Sequence, residues 1–110
     1  KFKLALAGAT EVKYAELDEI IRLQAESNYT HVFFRNNKVF VSAKTLKDYD
    51  EMLQGHHFLR VHKSHLVNPA HIIHYDKQGI LTMSDDSKVE VSRRKKDFLQ
   101  QALKSQVFNW

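Results

Sequence analysis

The stretch that most constrains this chain runs Phe58-Leu59-Arg60-Val61-His62-Lys63-Ser64-His65-Leu66-Val67-Asn68. It opens with strand character: Phe58, Leu59 and Val61 are apolar, and Arg60 and His62 alternate onto the opposite face. Lys63-Ser64-His65 then interrupts the pattern, and Leu66-Val67-Asn68 closes the stretch ahead of Pro69. A core strand has no use for a cationic, hydrogen-bonding knuckle between two apolar runs. A binding surface does.

The remainder of the chain reads as a setting for that knuckle. Phe2, Leu4 and Leu6 alternate with small or polar residues and predict a strand ending at Gly8, with a short second strand over Val12 to Tyr14. Leu17-Asp18-Glu19 reads as a turn before a strand from about Ile20. Thr30 to Arg35 and Lys38 to Ser42 predict a hairpin closed by Asn36-Asn37. Leu46, Tyr49 and Leu53 share a helical face, Thr45 and Asp48 form a cap-like start, and Gln54-Gly55 stops that helix. After the knuckle, Ala70 to Tyr75 reads as a strand, and Ile80 to Ser84 pairs with Lys88 to Val91 across Asp85-Asp86-Ser87. Ser92 is expected to cap a last helix whose apolar face is Phe98, Leu99, Ala102 and Leu103. The fold class expected is mainly β: small antiparallel sheets in an elongated arrangement, one short helix between hairpins and one at the C-terminal end. Val107, Phe108 and Trp110 in the tail are placed either back against the core or in a frayed end.

Length and composition set the limits. The 110 residues suit a single domain over 1–110, and a hydrophobic fraction of 43% suits folding over disorder. The absence of Cys excludes disulfides, thiolate metal sites and a cysteine nucleophile. No apolar run approaches membrane-spanning length, no signal peptide is visible, and a start at Lys1 suggests a domain cut from a longer protein. Net charge is +4, and its distribution is uneven. Residues 1–55 hold eight Lys or Arg against eight Asp or Glu, whereas 56–110 hold nine against five. The whole excess therefore lies beside the knuckle, the footprint of a polyanion binder.

Chemistry that the sequence could support narrows quickly. Arg93-Arg94-Lys95-Lys96 places four cations at the expected start of the last helix, where the macrodipole is already positive. A start that is electrostatically wrong for stability is right for a phosphate. His62 with His65, and His71 with His74, have three-residue spacing but lie in predicted strand, where positions three apart face oppositely, and no carboxylate lies among them. No metal or other cofactor is expected. Ser64 has histidine neighbours but no glycine-flanked elbow, and no enzymatic constellation emerges. Asn68 before Pro69 reads as a structural turn residue. Non-enzymatic readings stay open: binding of a nucleic acid, with RNA behind double-stranded DNA because at least one of Phe33 and Phe34 is expected to be buried, and a protein-interaction module that meets an acidic partner through the basic half.

The pattern F-x-R-x-H-K-S-x-L-V-N, followed by His71-Ile72, resembles the signature of the LytTR family of bacterial DNA-binding domains. Glu26-Ser27-Asn28-Tyr29 after an apolar strand and Val91-Ser92-Arg93-Arg94 at the last helix resemble two further family features. The resemblance implies a cytoplasmic response-regulator output domain that regulates transcription in a two-component system. It implies loops entering major grooves at tandem direct repeats, by a domain monomeric or weakly dimeric alone and dimeric on DNA. Carried over by position, Lys63, Arg94 and Asn28 would contact bases, and Ser64, Arg93, Lys95, His65 and Tyr29 phosphates. His65 stands where the family often has an aromatic, which raises the expectation of pH-sensitive binding.

Overall fold

The computed structural model describes residues 2–105. Ten strands, β1 (Lys3–Ala7), β2 (Val12–Glu16), β3 (Ile20–Glu26), β4 (Tyr29–Phe34), β5 (Val39–Ser42), β6 (Leu59–His62), β7 (His65–Val67), β8 (Ile72–Tyr75), β9 (Ile80–Met83) and β10 (Lys88–Glu90), form three antiparallel sheets. The first is the β1–β2 hairpin, the second runs β5-β4-β3-β7-β6, and the third runs β10-β9-β8. Helix α1 (Leu46–Met52) lies between β5 and β6, and α2 (Lys96–Lys104) ends the described chain. The molecule is elongated, 45 × 30 × 25 Å. This is the mainly β architecture that the sequence predicted.

The five-stranded sheet separates two cores. On one side Leu23, Val32, Phe34 and Leu66 meet Leu4 and Leu6 of β1 and Leu46, Tyr49 and Leu53 of α1. On the other, Ile21, Leu59, Val61 and Val67 meet Leu81, Met83 and Val89 of the third sheet and Leu99 of α2. Each large apolar side chain so buried contributes about 1.5–3 kcal/mol. Neither flanking unit could cover both faces of the central sheet, so both are needed. Tyr49 is fully buried, and its hydroxyl is satisfied by Ser42 Oγ and by the Ala7 N–H at 3.2 Å.

Two strands, β3 and β6, each carry a one-residue register slip. In β3 the slip falls between Ile20 and Arg22: Ile20 and Leu23 enter one core and Ile21 the other, whereas unbroken alternation would put Ile21 and Leu23 on the same face. In β6 it falls between Arg60 and His62, so Val61 and His62 come to the same side rather than alternating. That overturns the expectation that His62 shares the face of Arg60. It also overturns the expectation that His62 and His65 face oppositely: they are cross-strand partners, ring centroids 5.2 Å apart.

Smaller differences follow from hydrogen bonding. Thr45 and Asp48 form the expected reciprocal capping box on α1. Residues 70–75 are not all strand, because Pro69–His71 is a 3₁₀ turn. Asn68 stabilises that turn by accepting from the Ala70 N–H at 3.1 Å, and its Nδ2 donates to the carbonyls of Leu17 and Ile20 at 3.2 and 2.9 Å. The last helix begins later than expected. Arg93–Lys95 form a 3₁₀ turn, α2 starts at Lys96, and the Ser92 side chain makes no cap bond. The apolar tail residues Val107, Phe108 and Trp110 lie outside the described residues.

Candidate nucleic-acid interface

Strand order brings the predicted contact segments to one end of the molecule. Ser27-Asn28 joins β3 to β4, and Lys63-Ser64 joins β6 to β7. Since β3 pairs with both β4 and β7, antiparallel to each, the two turns leave the same end of the sheet. The Ala25 N–H donates to the Ser64 carbonyl at 2.9 Å and fastens one turn to the other strand pair. On the far side of β6, the Ser92 N–H donates to the Val61 carbonyl at 2.9 Å, which sets Arg93 and Arg94 beside the knuckle strand. The sequence order of these segments spans most of the chain; the sheet collects them.

The Lys63-Ser64 turn is held from both flanks. Arg60 donates from Nε to the His62 carbonyl at 3.0 Å and from Nη2 to the Lys63 carbonyl at 2.6 Å. Its Nη1 pairs with Asp50 Oδ2 on α1 at 3.2 Å. The Ser64 N–H donates to His62 Nδ1 at 3.0 Å, so that ring nitrogen carries no proton here. With its backbone occupied, the turn presents the exposed side chain of Lys63.

The other predicted residues vary in what they offer. Asn28 is exposed, in a turn whose Ser27 takes a positive φ of 55°, and Tyr29 is 53% exposed at the rim. Arg93 and Arg94 are both exposed. Lys95 lies half-buried with Nζ 4.6 Å from the centroid of the Phe98 ring, an attraction that holds it close to α2. Lys96 runs along Gly79, whose φ of +93° suits glycine and where a Cβ would stand 2.7 Å from the Lys96 Cε. The four-cation cluster thus divides into two exposed arginines and two half-buried lysines that lie along neighbouring residues.

His65 differs most from expectation. It is half-buried, its Nδ1 finds no hydrogen-bond partner among the described residues, and its pKa is pushed down to about 4. Burial is the main cause, followed by the nearby His62 and Arg22. Near neutral pH it therefore offers a phosphate a neutral ring, and acidification toward pH 6 does not give it a charge. The pH-sensitive binding expected of this residue is moved out of that range.

Sequence reasoning missed two contributors. Lys44 is exposed and follows β5, and its carbonyl accepts from Thr30 Oγ1 at 2.8 Å, beside Tyr29 at the same end of the sheet. Only the strand order reveals that neighbourhood. Arg60 read as an ordinary alternating strand position; its bonds to the i+2 and i+3 carbonyls span the slip at Val61. Among the described residues, no group of three or more His, Asp or Glu side chains converges to hold a metal ion.

A profile of the LytTr DNA-binding domain matches residues 10–104, nearly the whole chain. The chain belongs to the LytTR DNA-binding domain family. As a LytTR domain it binds double-stranded DNA and works in transcription regulation. It is 29% identical, over 93% of its length, to the heme-containing CO-sensing transcriptional regulator RcoM 1 of Paraburkholderia xenovorans strain LB400. It is 28% identical over the same share to RcoM 2 of that organism. The LytTR domain spans 40% of the length of each of these relatives. Its fold matches the LytTr DNA-binding domain of a putative methyl-accepting/DNA response regulator from Bacillus cereus, with a TM-score of 0.78 at 22% identity. That match covers 94% of this chain and 97% of the other. Among the described residues no helix is long and apolar enough to cross a membrane.

Proposed function

We propose that this LytTR domain reads DNA through the end of the sheet where three of its segments meet, as the output part of a longer regulator. Lys63, Arg94 and Asn28 enter major grooves and contact base edges, Lys63 and Arg94 on guanine and Asn28 on adenine. Ser64, Arg93, Lys95, Tyr29 and the neutral ring of His65 hold phosphates and fix the register. The observation that carries the reading is the gathering of Ser27-Asn28, Lys63-Ser64 and Ser92-Arg94 by the β3–β7 pairing and the Ser92–Val61 bond. The family resemblance carries the expectation of tandem direct repeats, with two copies side by side on DNA. The curated relatives, of which the chain spans 40%, are transcriptional regulators longer than this domain, which fits the reading of it as an output part.

Selection of bound sites from a random DNA pool, followed by binding isotherms at several salt concentrations, tests this. A repeat motif should emerge, and log affinity should fall with log salt by roughly 0.9 per neutralised phosphate. No enriched motif together with a flat salt response sinks the reading and favours an acidic protein partner instead.

A further inference from the structure

We infer that Arg60 is a positioning residue for the base-reading turn, and that Asp50 on α1 sets DNA selectivity through it without touching DNA. The inference rests on the DNA reading of Lys63 and adds to it the device that gives Lys63 a fixed origin. Arg60 uses all three guanidinium nitrogens: two on the carbonyls of His62 and Lys63, and the third on Asp50. The two carbonyls belong to the last residue of β6 and the first residue of the turn. A fork that grips consecutive carbonyls from below fixes the peptide planes on which the Lys63 side chain is mounted. The slip at Val61 lies between Arg60 and His62, within the segment that the fork spans, and the pairing resumes at His62 and His65.

Asp50 completes the device. Arg60 and Asp50 are neither sealed nor free, with side-chain exposures of 24% and 28%. The ion pair is therefore worth little as stabilisation, and its consequence is directional: it holds one end of the guanidinium while the other grips the turn. Helix α1 is itself anchored by its capping box and by buried Leu46 and Tyr49, so the carboxylate is a fixed point. Without the grip, the turn would have to be ordered when DNA binds, and matched DNA would lose most by it.

The charges separate this role from a direct electrostatic one. Arg60→Lys keeps the charge and removes the fork. Asp50→Ala makes the domain more positive by one, which on electrostatic grounds alone tightens DNA binding. We expect Arg60→Lys to weaken binding to a selected site about tenfold, and Asp50→Ala a few-fold, with scrambled DNA bound as before or tighter. The salt slope of Arg60→Lys should stay that of the parent, since no phosphate contact is lost. In the DNA-free protein, amide exchange at Lys63 and Ser64 should speed up in both variants while the melting temperature moves little. Lys63→Ala is measured alongside. If Lys63→Ala loses selectivity while both variants bind and exchange like the parent, the Arg60 inference is overturned and the DNA reading stands. If Lys63→Ala leaves selectivity intact, both are overturned. If the variants bind all DNA more weakly to the same degree, Arg60 is a phosphate contact and the positioning role is overturned.

Discussion

At the Lys63-Ser64 turn, side chains and a neighbouring strand occupy four backbone atoms: the carbonyls of His62, Lys63 and Ser64, and the Ser64 N–H. At the Arg93–Lys95 turn, the same end of the molecule is built differently. Ser92 contributes one bond to Val61, the local 3₁₀ bonds supply the remainder described, and no side chain caps the segment. Both present cations, and both lie against β6. One is a rigid mount and the other a tethered pair of long side chains. A rigid mount loses little entropy on binding and can discriminate between bases; a tethered pair reaches further and tolerates variation in DNA shape. On the proposed DNA reading, the difference in mounting predicts sharper discrimination at Lys63 than at Arg94.

The largest expected effect is at the rigid mount. Lys63→Ala should cost roughly 1–3 kcal/mol on a selected site and relax the preference at one base pair, with much less loss on scrambled DNA. Stability should be unaffected, because the side chain is exposed. Paired isotherms and a melting curve check this. Equal loss on all sequences would make Lys63 a phosphate contact and erase the contrast with the arginines.

The tether comes next. Ser92 has a φ of −64°, close to the angle proline imposes, and its N–H makes the bond to Val61. Ser92→Pro therefore removes the tether with the backbone angle kept. Stability should fall by more than the roughly 0.5–1.5 kcal/mol of one ordinary hydrogen bond, because the proline ring meets the Val61 carbonyl where the N–H was. Affinity should fall on matched and scrambled DNA alike, because Arg93 and Arg94 drift together. Calorimetry and isotherms decide it, and a loss confined to matched DNA would show that this turn is as precisely mounted as the knuckle.

Much of this was legible in the sequence, and the illegible parts share a cause. Asn36-Asn37, Asp85-Asp86-Ser87 and the Thr45 box are local devices, so composition announces them. The slips at Ile21 and Val61 leave no local trace, since a residue displaced by one position looks like any other strand residue. Those slips decide that His62 meets His65 and that Leu23 joins the core of Ile20 and not that of Ile21. Asn68 was legible as a turn residue, but its bonds to Leu17 and Ile20 cross some fifty positions of chain, 51 and 48 residues away.

A pH experiment sharpens the account of His65. Its folded pKa is about 4, whereas an unfolded histidine titrates near the ordinary value of 6.5. Between those values the unfolded chain binds more protons, so stability should fall as pH drops from about 6.5 to about 4 and level off below. His65→Phe should flatten that part of the profile, measured by melting temperature against pH. A parent profile no steeper than that of the variant would mean that the ring is more open to water than its burial implies.

The smallest effect is the most diagnostic of the arginine pair. Arg94 stands in the 3₁₀ turn that runs into the positive end of α2, so its charge is unfavourably placed for folding. Arg94→Gln should leave stability unchanged or raise it by a few tenths of a kcal/mol. If Arg94 grips a guanine with both ends of its fork, the same change weakens specific binding by about 1–3 kcal/mol and scrambled binding far less. If the tethered segment chiefly follows the backbone, the loss is similar on both DNAs, and discrimination falls to Lys63. A side chain kept at a helix start that folding disfavours is kept for a ligand, and the sign of the small stability change is what separates the cases. A variant that melts lower and binds both DNAs as the parent does would make Arg94 a structural residue, and would leave the knuckle as the only base reader on this side of β6.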